Sequence, residues 1–304
     1  MRPRIVLRTA LLVLLMLVLT AAITFWLRPI DCFRQYGYLK EHFSGYQSST
    51  VRVHGMEMHY LALGPQTGQP IVLIHGLGAQ GEDWLPLAPS LAHAGYRVIL
   101  PDLPGYGRSA RPADFSYSVH DESEMVVGFL DALGLAQVEL GGWSMGGGIV
   151  QHVAYYHPER VNRLMLFDAV GLYQKAAWNV ELFTPHSGSE LLALWALLTP
   201  HPQPIPGFIL RDALRHSQHN AWVVHRAVMS MLTGRDATDQ LLPQLKMPTL
   251  IVWGTEDRIF PVWNAQKMHE LVPQSQLLLV PGCGHRAPAE CVPQIAPTVL
   301  AFAK

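Results

Sequence analysis

Residues 138–150 read VELGGWSMGGGIV, and the fold turns on how that stretch divides. Val138 and Leu140 repeat the short strand pattern expected of a buried parallel strand, and the residues after Ser144 are apolar enough for a helix. Between them lies Gly142-Trp143-Ser144-Met145-Gly146, the pattern G-x-S-x-G. Glycines on both sides of Ser144 permit the sharp strand-to-helix turn that presents a hydroxyl, where a bulkier neighbour would clash. Gly141, Gly147 and Gly148 add to the signal. The helix that follows aims its N-terminus at the hydroxyl, which favours negative charge developing there.

The strand signal recurs on both sides of this stretch. Apolar runs stand at 71–74 (IVLI), 97–100 (RVIL), 164–167 (LMLF), 249–253 (TLIVW) and 276–280 (QLLLV). Residues 51–53 and 56–63 alternate as a hairpin around His54-Gly55. Helical patterns occupy the intervals near 85–94, 119–133, 145–157, 264–271 and 292–302. Strands alternating with helices predict an α/β protein: a mostly parallel sheet covered by helices on both faces. Residues 172–241 break the alternation, with Trp178, Trp195, Trp222, many leucines and a proline-rich turn at 200–206. They read as a helical insertion over the carboxyl ends of the strands, where ligands bind in open α/β sheets.

The chain has 304 residues, is 49 % hydrophobic and only 15 % charged, and carries a net charge of −1. Disorder needs low hydrophobicity or high net charge, and a nucleic-acid binder usually shows a basic excess. Three cysteines cannot make a disulfide scaffold. Part of the apolar excess sits in residues 9–27, TALLVLLMLVLTAAITFWL, which carry no charge. At about 1.5 Å per residue the run is roughly 28 Å long, close to the hydrocarbon thickness of a bilayer. Arg2, Arg4 and Arg8 precede it, Arg28 closes it, and Phe25, Trp26, Phe33, Tyr36 and Tyr38 suit a headgroup layer. An uncleaved single-pass anchor competes with a cleaved signal peptide. The run continues past the small-residue site at Thr20-Ala21-Ala22, which a cleaved signal would not need. Basic residues on the two sides nearly balance. The expected orientation puts the N-terminus inside and the domain on the non-cytoplasmic, periplasmic side. The expected division is 1–48 anchor and linker, 49–171 core, 172–241 cap and 242–304 core.

A serine hydroxyl needs a base. Of 15 histidines, His285 stands out in Gly282-Cys283-Gly284-His285, directly after the last strand. The base needs an orienting acid. Asp257, in Gly254-Thr255-Glu256-Asp257 after the strand at 249–253, gives the chain order Ser144, Asp257, His285. Asp168, at the end of the strand at 164–167, and Glu256 are rivals. His75, in His75-Gly76-Leu77-Gly78, reads as a loop-shaping residue. No H-E-x-x-H and no cysteine pair at ligand spacing points to a metal, and nothing calls for a cofactor. Cys283 and Cys291 flank the His285 loop; two free thiols are expected there, with a disulfide in an oxidising compartment as the alternative.

Over residues 50–304 the sequence resembles the α/β-hydrolase superfamily. Beyond Ser144, Asp257 and His285, the resemblance rests on Asp102-Leu103-Pro104-Gly105-Tyr106-Gly107-Arg108-Ser109, on Tyr156-His157-Pro158-Glu159-Arg160-Val161, and on Pro288 and Glu290 after His285. The family's proline usually falls two residues after the histidine; here it falls three after. The resemblance implies an oxyanion hole from the N–H groups of Leu77 and Met145. Dehalogenases and epoxide hydrolases of this fold place Asp at the nucleophile position, which here is Ser144. The anchor, the elbow and the helical cap together are similar to membrane-anchored monoacylglycerol lipases and related bacterial esterases. That likeness implies a serine esterase or lipase acting on an acyl ester or lipid, working at a membrane. Thioesterase, perhydrolase, carbon–carbon bond hydrolase and acyltransferase chemistry, or a non-catalytic receptor, are the other readings.

Overall fold

The computed structural model describes residues 3–175 and 178–304; Arg2 of the N-terminal basic cluster lies outside them. In chain order the elements are α1 (Pro3–Leu27), α2 (Pro29–Phe43), β1 (Gln47–Val53), β2 (Met56–Leu63), β3 (Pro70–Ile74), α3 (Ala88–His93), β4 (Arg97–Pro101), α4 (Val119–Ala132), β5 (Val138–Trp143), α5 (Met145–Tyr156) and β6 (Val161–Phe167). Then follow α6 (Gly188–Leu198), α7 (Gly207–His219), α8 (Ala221–Leu232), β7 (Thr249–Gly254), α9 (Trp263–Leu271), β8 (Gln276–Val280), α10 (Ala287–Glu290) and α11 (Val292–Ala303).

The strands form one sheet in the order β1-β2-β4-β3-β5-β6-β7-β8. β2 pairs antiparallel with β1 and with β4, and the other pairs are parallel. The β1–β2 turn uses His54 at φ 47° and Gly55 at φ 84°, as the hairpin reading requires. Alternation along each strand divides the core in two. Val72, Ile74, Leu164, Leu166, Ile251 and Trp253 pack with α4, α5 and α9 on one face. Ile71, Leu73, Met165, Phe167, Leu250 and Val252 pack with α3 and α11 on the other. This is the double cover that near-continuous apolar strands demand. Fully burying each such side chain contributes about 1.5–3 kcal/mol.

Between β6 and β7 the chain leaves the sheet for α6, α7 and α8. At the other end, Leu7–Leu27 is a helix of 21 residues with mean hydropathy 2.6 and no part of its most apolar stretch buried in the protein, long and apolar enough to cross a membrane. It is therefore not a core helix.

Helix α2 was not expected, and it ties the apolar helix to the rest. The Trp26 ring stacks on Phe208 of α7 with centroids 4.7 Å apart. The Ile30 N–H donates to Asp212 Oδ2 at 2.9 Å, and Arg215 bridges Asp212 and Asp31 at 2.7 and 2.8 Å. Further along α2, Glu41 pairs with Arg108 at 3.2 Å, and the Arg108 guanidinium lies over the Tyr38 ring.

Candidate active site

Ser144 sits between β5 and α5 with φ 55° and ψ −120°, a left-handed conformation that a non-glycine residue adopts only under constraint. The constraint is the packing around it. A Cβ on Gly146 would lie 2.4 Å from the carbonyl oxygens of Ile74 and His75, and one on Gly147 would lie 2.3 Å from Ala169 Cβ. The Ser144 N–H donates to the Phe167 carbonyl, and its own carbonyl accepts from Gly147 and Val170. Among residues 141–150 all are buried except Ser144, which is partly exposed.

The structure brings Ser144, His285 and Asp257 together. His285 Nε2 lies 2.8 Å from Ser144 Oγ, and His285 Nδ1 lies 2.8 Å from Asp257 Oδ2. Asp257 is fixed through its other oxygen, Oδ1, which accepts the N–H groups of Ile259 at 2.7 Å and Phe260 at 2.9 Å. The His285 loop is held by an indole that the sequence reading did not single out: Trp143 Nε1 donates to the His285 carbonyl at 2.6 Å. Gly254 at the end of β7 lets that loop pass directly over the strand, since a Cβ there would strike the carbonyls of Cys283 and Gly284.

The rival acids are elsewhere. Glu256 is exposed. Asp168 is wholly buried; its Oδ1 accepts the Gly254 N–H at 2.8 Å, and Oδ2 has no partner. Burial, and next the charge of Asp257, push its carboxyl well above the ordinary range, which favours the protonated form.

Leu77 and Met145 both border the space in front of Ser144. Met145 is the first residue of α5, so its N–H has no intrahelical acceptor. The Leu77 N–H has no acceptor among the described residues. His75 braces this loop, as expected of a shaping residue. Its Nδ1–H donates to the Gly76 carbonyl at 2.8 Å, and Nε2 accepts the Leu103 N–H at 3.0 Å. Burial lowers the imidazole's affinity for a second proton, which suits that pair of bonds.

One expectation is overturned. Cys283 and Cys291 form a disulfide, not two free thiols. The short helix α10 turns the chain back after His285 and brings their Cα atoms to 6.4 Å, within bridging range.

Two chambers meet at Ser144. One, of about 370 Å³, is lined by apolar groups including Val170, Leu172, Val228, Met231 and Ile259. The other, of about 380 Å³, is more polar and holds His285 and Trp143 on its wall. Phe183 and Leu77 border both. A nucleophile, a base and an acid in hydrogen-bonded series, with two free N–H groups beside them, can perform acyl transfer.

Residues 69–184 and 233–290, more than half of the chain, match the family model described as alpha/beta hydrolase fold. The chain is 26 % identical to Lipase 1 of Psychrobacter immobilis over 267 residues, 84 % of this chain and 83 % of the lipase. It is 30 % identical to a 2-hydroxy-6-oxo-6-(2'-aminophenyl)hexa-2,4-dienoic acid hydrolase of Metapseudomonas resinovorans over 274 residues, 85 % of this chain and 91 % of that enzyme. Among solved structures it resembles a membrane phospholipase A described as a bacterial virulence factor, with a TM-score of 0.84 and 27 % identity over 97 % of each chain.

Proposed function

The chain belongs to the α/β-hydrolase fold family, and from that premise we propose that it is a serine ester hydrolase that cleaves acyl esters of lipids at a membrane. The observation that carries this reading is the unbroken series Ser144 Oγ, His285 Nε2, His285 Nδ1, Asp257 Oδ2, each link 2.8 Å. Ser144 Oγ attacks the ester carbonyl while His285 Nε2 takes its proton. The N–H groups of Leu77 and Met145 hold the oxyanion, each worth roughly 3 kcal/mol in such a site. The tetrahedral adduct collapses, the bond to the leaving oxygen breaks, and His285 returns the proton to that oxygen. Water, deprotonated by the same imidazole, then splits the acyl-enzyme into acid and free Ser144. Asp257 keeps His285 in the tautomer with its proton on Nδ1.

The apolar chamber suits an acyl chain, and residues 172–241 form the cap that closes over it. Residues 49–171 and 242–304 are the catalytic core, and residues 1–48 are anchor and linker. Three observations support work on lipids at a bilayer: the bilayer-length helix, its docking on α7, and the likeness to lipases and a membrane phospholipase. The disulfide supports a non-cytoplasmic domain, because such bonds persist in oxidising compartments. Similarity to a dienoic acid hydrolase favours a second reading, carbon–carbon bond hydrolysis by the same three residues. Comparing p-nitrophenyl butyrate with a 2-hydroxy-6-oxo-dienoate as substrates decides between them. The ester is expected to turn over, and Ser144→Ala to reduce that turnover by at least about 10³-fold. Faster cleavage of the dienoate, or an unaffected Ser144→Ala variant, would refute the ester assignment.

A further inference from the structure

The two chambers are chemically unlike, and the position of His285 gives each a role. The leaving oxygen must receive its proton from His285 Nε2. His285 lines the polar chamber, so the alcohol half of the substrate lies there and the acyl half lies in the apolar chamber. The wall of the leaving-group chamber is cationic. Arg34, Arg111 and Arg286 line it against a single carboxylate, Asp83.

Two of these arginines have no carboxylate partner among the described residues. Arg111 donates only to neutral acceptors, the carbonyls of Gly105 and Gly107 and the side-chain oxygen of Asn220, at 2.8–3.3 Å. Arg34 donates to the Tyr38 hydroxyl at 3.2 Å. Arg286 contacts Asp83 at 3.9 Å and Glu290 at 3.3 Å, and its guanidinium lies over the Trp195 ring. Arg34 also belongs to α2, the helix that directly follows the bilayer-length segment. The linker from the membrane thus supplies part of the chamber's charge.

Resting on the ester-hydrolase reading, we infer that the leaving group is anionic: a glycerol phosphodiester, so that the substrate is a glycerophospholipid or its lyso form rather than a neutral glyceride. Guanidinium groups match phosphate oxygens in geometry and charge. With one carboxylate against three arginines, the chamber favours a net-negative head such as phosphoglycerol over a zwitterionic one.

The test uses the full-length protein in neutral detergent micelles. Hydrolysis of 1-acyl-lysophosphatidylglycerol is compared with that of monoacylglycerol bearing the same acyl chain. The wild type is expected to show the higher kcat/KM on the phospholipid. Arg111→Gln and Arg34→Gln are each expected to lower the phospholipid-to-glyceride ratio roughly fivefold to tenfold, with Arg111→Lys restoring part of it. A second measurement needs only the wild type. The non-hydrolysable ether 1-O-alkyl-glycerophosphoglycerol should compete with p-nitrophenyl butyrate about tenfold more strongly than 1-O-alkylglycerol does. Inorganic phosphate separates the two possible sources of the anion: it should compete far more weakly than the ether phospholipid. A wild-type preference for the glyceride, a ratio that neither variant moves, or phosphate competing as well as the ether lipid would each overturn the head-group assignment. If no ester is hydrolysed at all, it is the ester-hydrolase reading that fails.

Discussion

At the scale of single residues, the contrast between two buried acids is the most informative. Asp257 and Asp168 stand at the carboxyl ends of neighbouring strands, β7 and β6. Asp257 meets His285 Nδ1, while Asp168 gives one oxygen to the Gly254 N–H, and burial raises its carboxyl well above the ordinary range. Asp257→Asn is expected to lower kcat by about 10²–10⁴-fold, because it removes the charge and the tautomer control. Asp168→Asn keeps the acceptor for Gly254, and the side chain bonds neither Ser144 nor His285, so its kcat should stay within about tenfold of wild type. Steady-state rates on p-nitrophenyl butyrate check both, and equal losses would contradict this division of roles. The sequence favoured Asp257 and kept Asp168 as a rival, since each directly or closely follows a strand; the contact of His285 Nδ1 with Asp257 Oδ2 is what tells them apart.

A third buried acid carries a pH prediction. Glu122 on α4 has no hydrogen-bond partner for either carboxyl oxygen. Burial, and next the charge of Asp121, raise it well above its ordinary value of 4.5. The native state therefore keeps a proton that the unfolded chain sheds near that ordinary value. As pH rises from there, the unfolded state binds fewer protons than the native one, so stability falls. Glu122→Gln removes this dependence. The melting temperature of the variant should gain on the wild type progressively as pH rises above about 4.5. A gap that does not widen with pH would refute the assignment.

Elements show what a sequence makes legible and what it hides. The strands were readable because a strand buried on both faces must be apolar throughout, as at residues 71–74 and 249–253. Helices α4, α5 and α11 were readable because each has a buried apolar face. Helix α2 was not, because what buries there is Pro29 and Glu41, and charge pairs rather than an apolar stripe hold it. Its usable signals are end effects: Pro29 in the first turn, Asp31 beside it, Lys40 and His42 in the last. The Cys283–Cys291 bond was hidden for a similar reason. A separation of eight residues does not reveal that α10 folds the chain back on itself. Closing so short a loop is worth about 2–3 kcal/mol. Cys283→Ser combined with Cys291→Ser should lower the melting temperature, and a reductant should lower that of the wild type alone. A melting temperature indifferent to reductant would contradict the bond.

Across the whole molecule, three parts converge on one serine. The sheet delivers Ser144, Asp257 and His285 from its carboxyl edge. Of the helices between β6 and β7, α8 lines the apolar chamber while α6 and α7 line the polar one, and Gly284 beside His285 packs against Pro200 and Leu198 of that same insertion. The linker helix brings Arg34 to the polar chamber while the segment before it is long enough to cross a bilayer. Part of the apolar excess noted in the composition belongs to that segment. The central claim is that Ser144 is a nucleophile activated by His285, and covalent trapping tests it most directly. Membranes carrying the full-length protein are treated with a fluorophosphonate, and the adduct is located by mass spectrometry. One phosphonyl group on Ser144, absent from both Ser144→Ala and heat-denatured protein, is the expected result. No adduct on the native protein, or an adduct that persists in Ser144→Ala, would contradict the account.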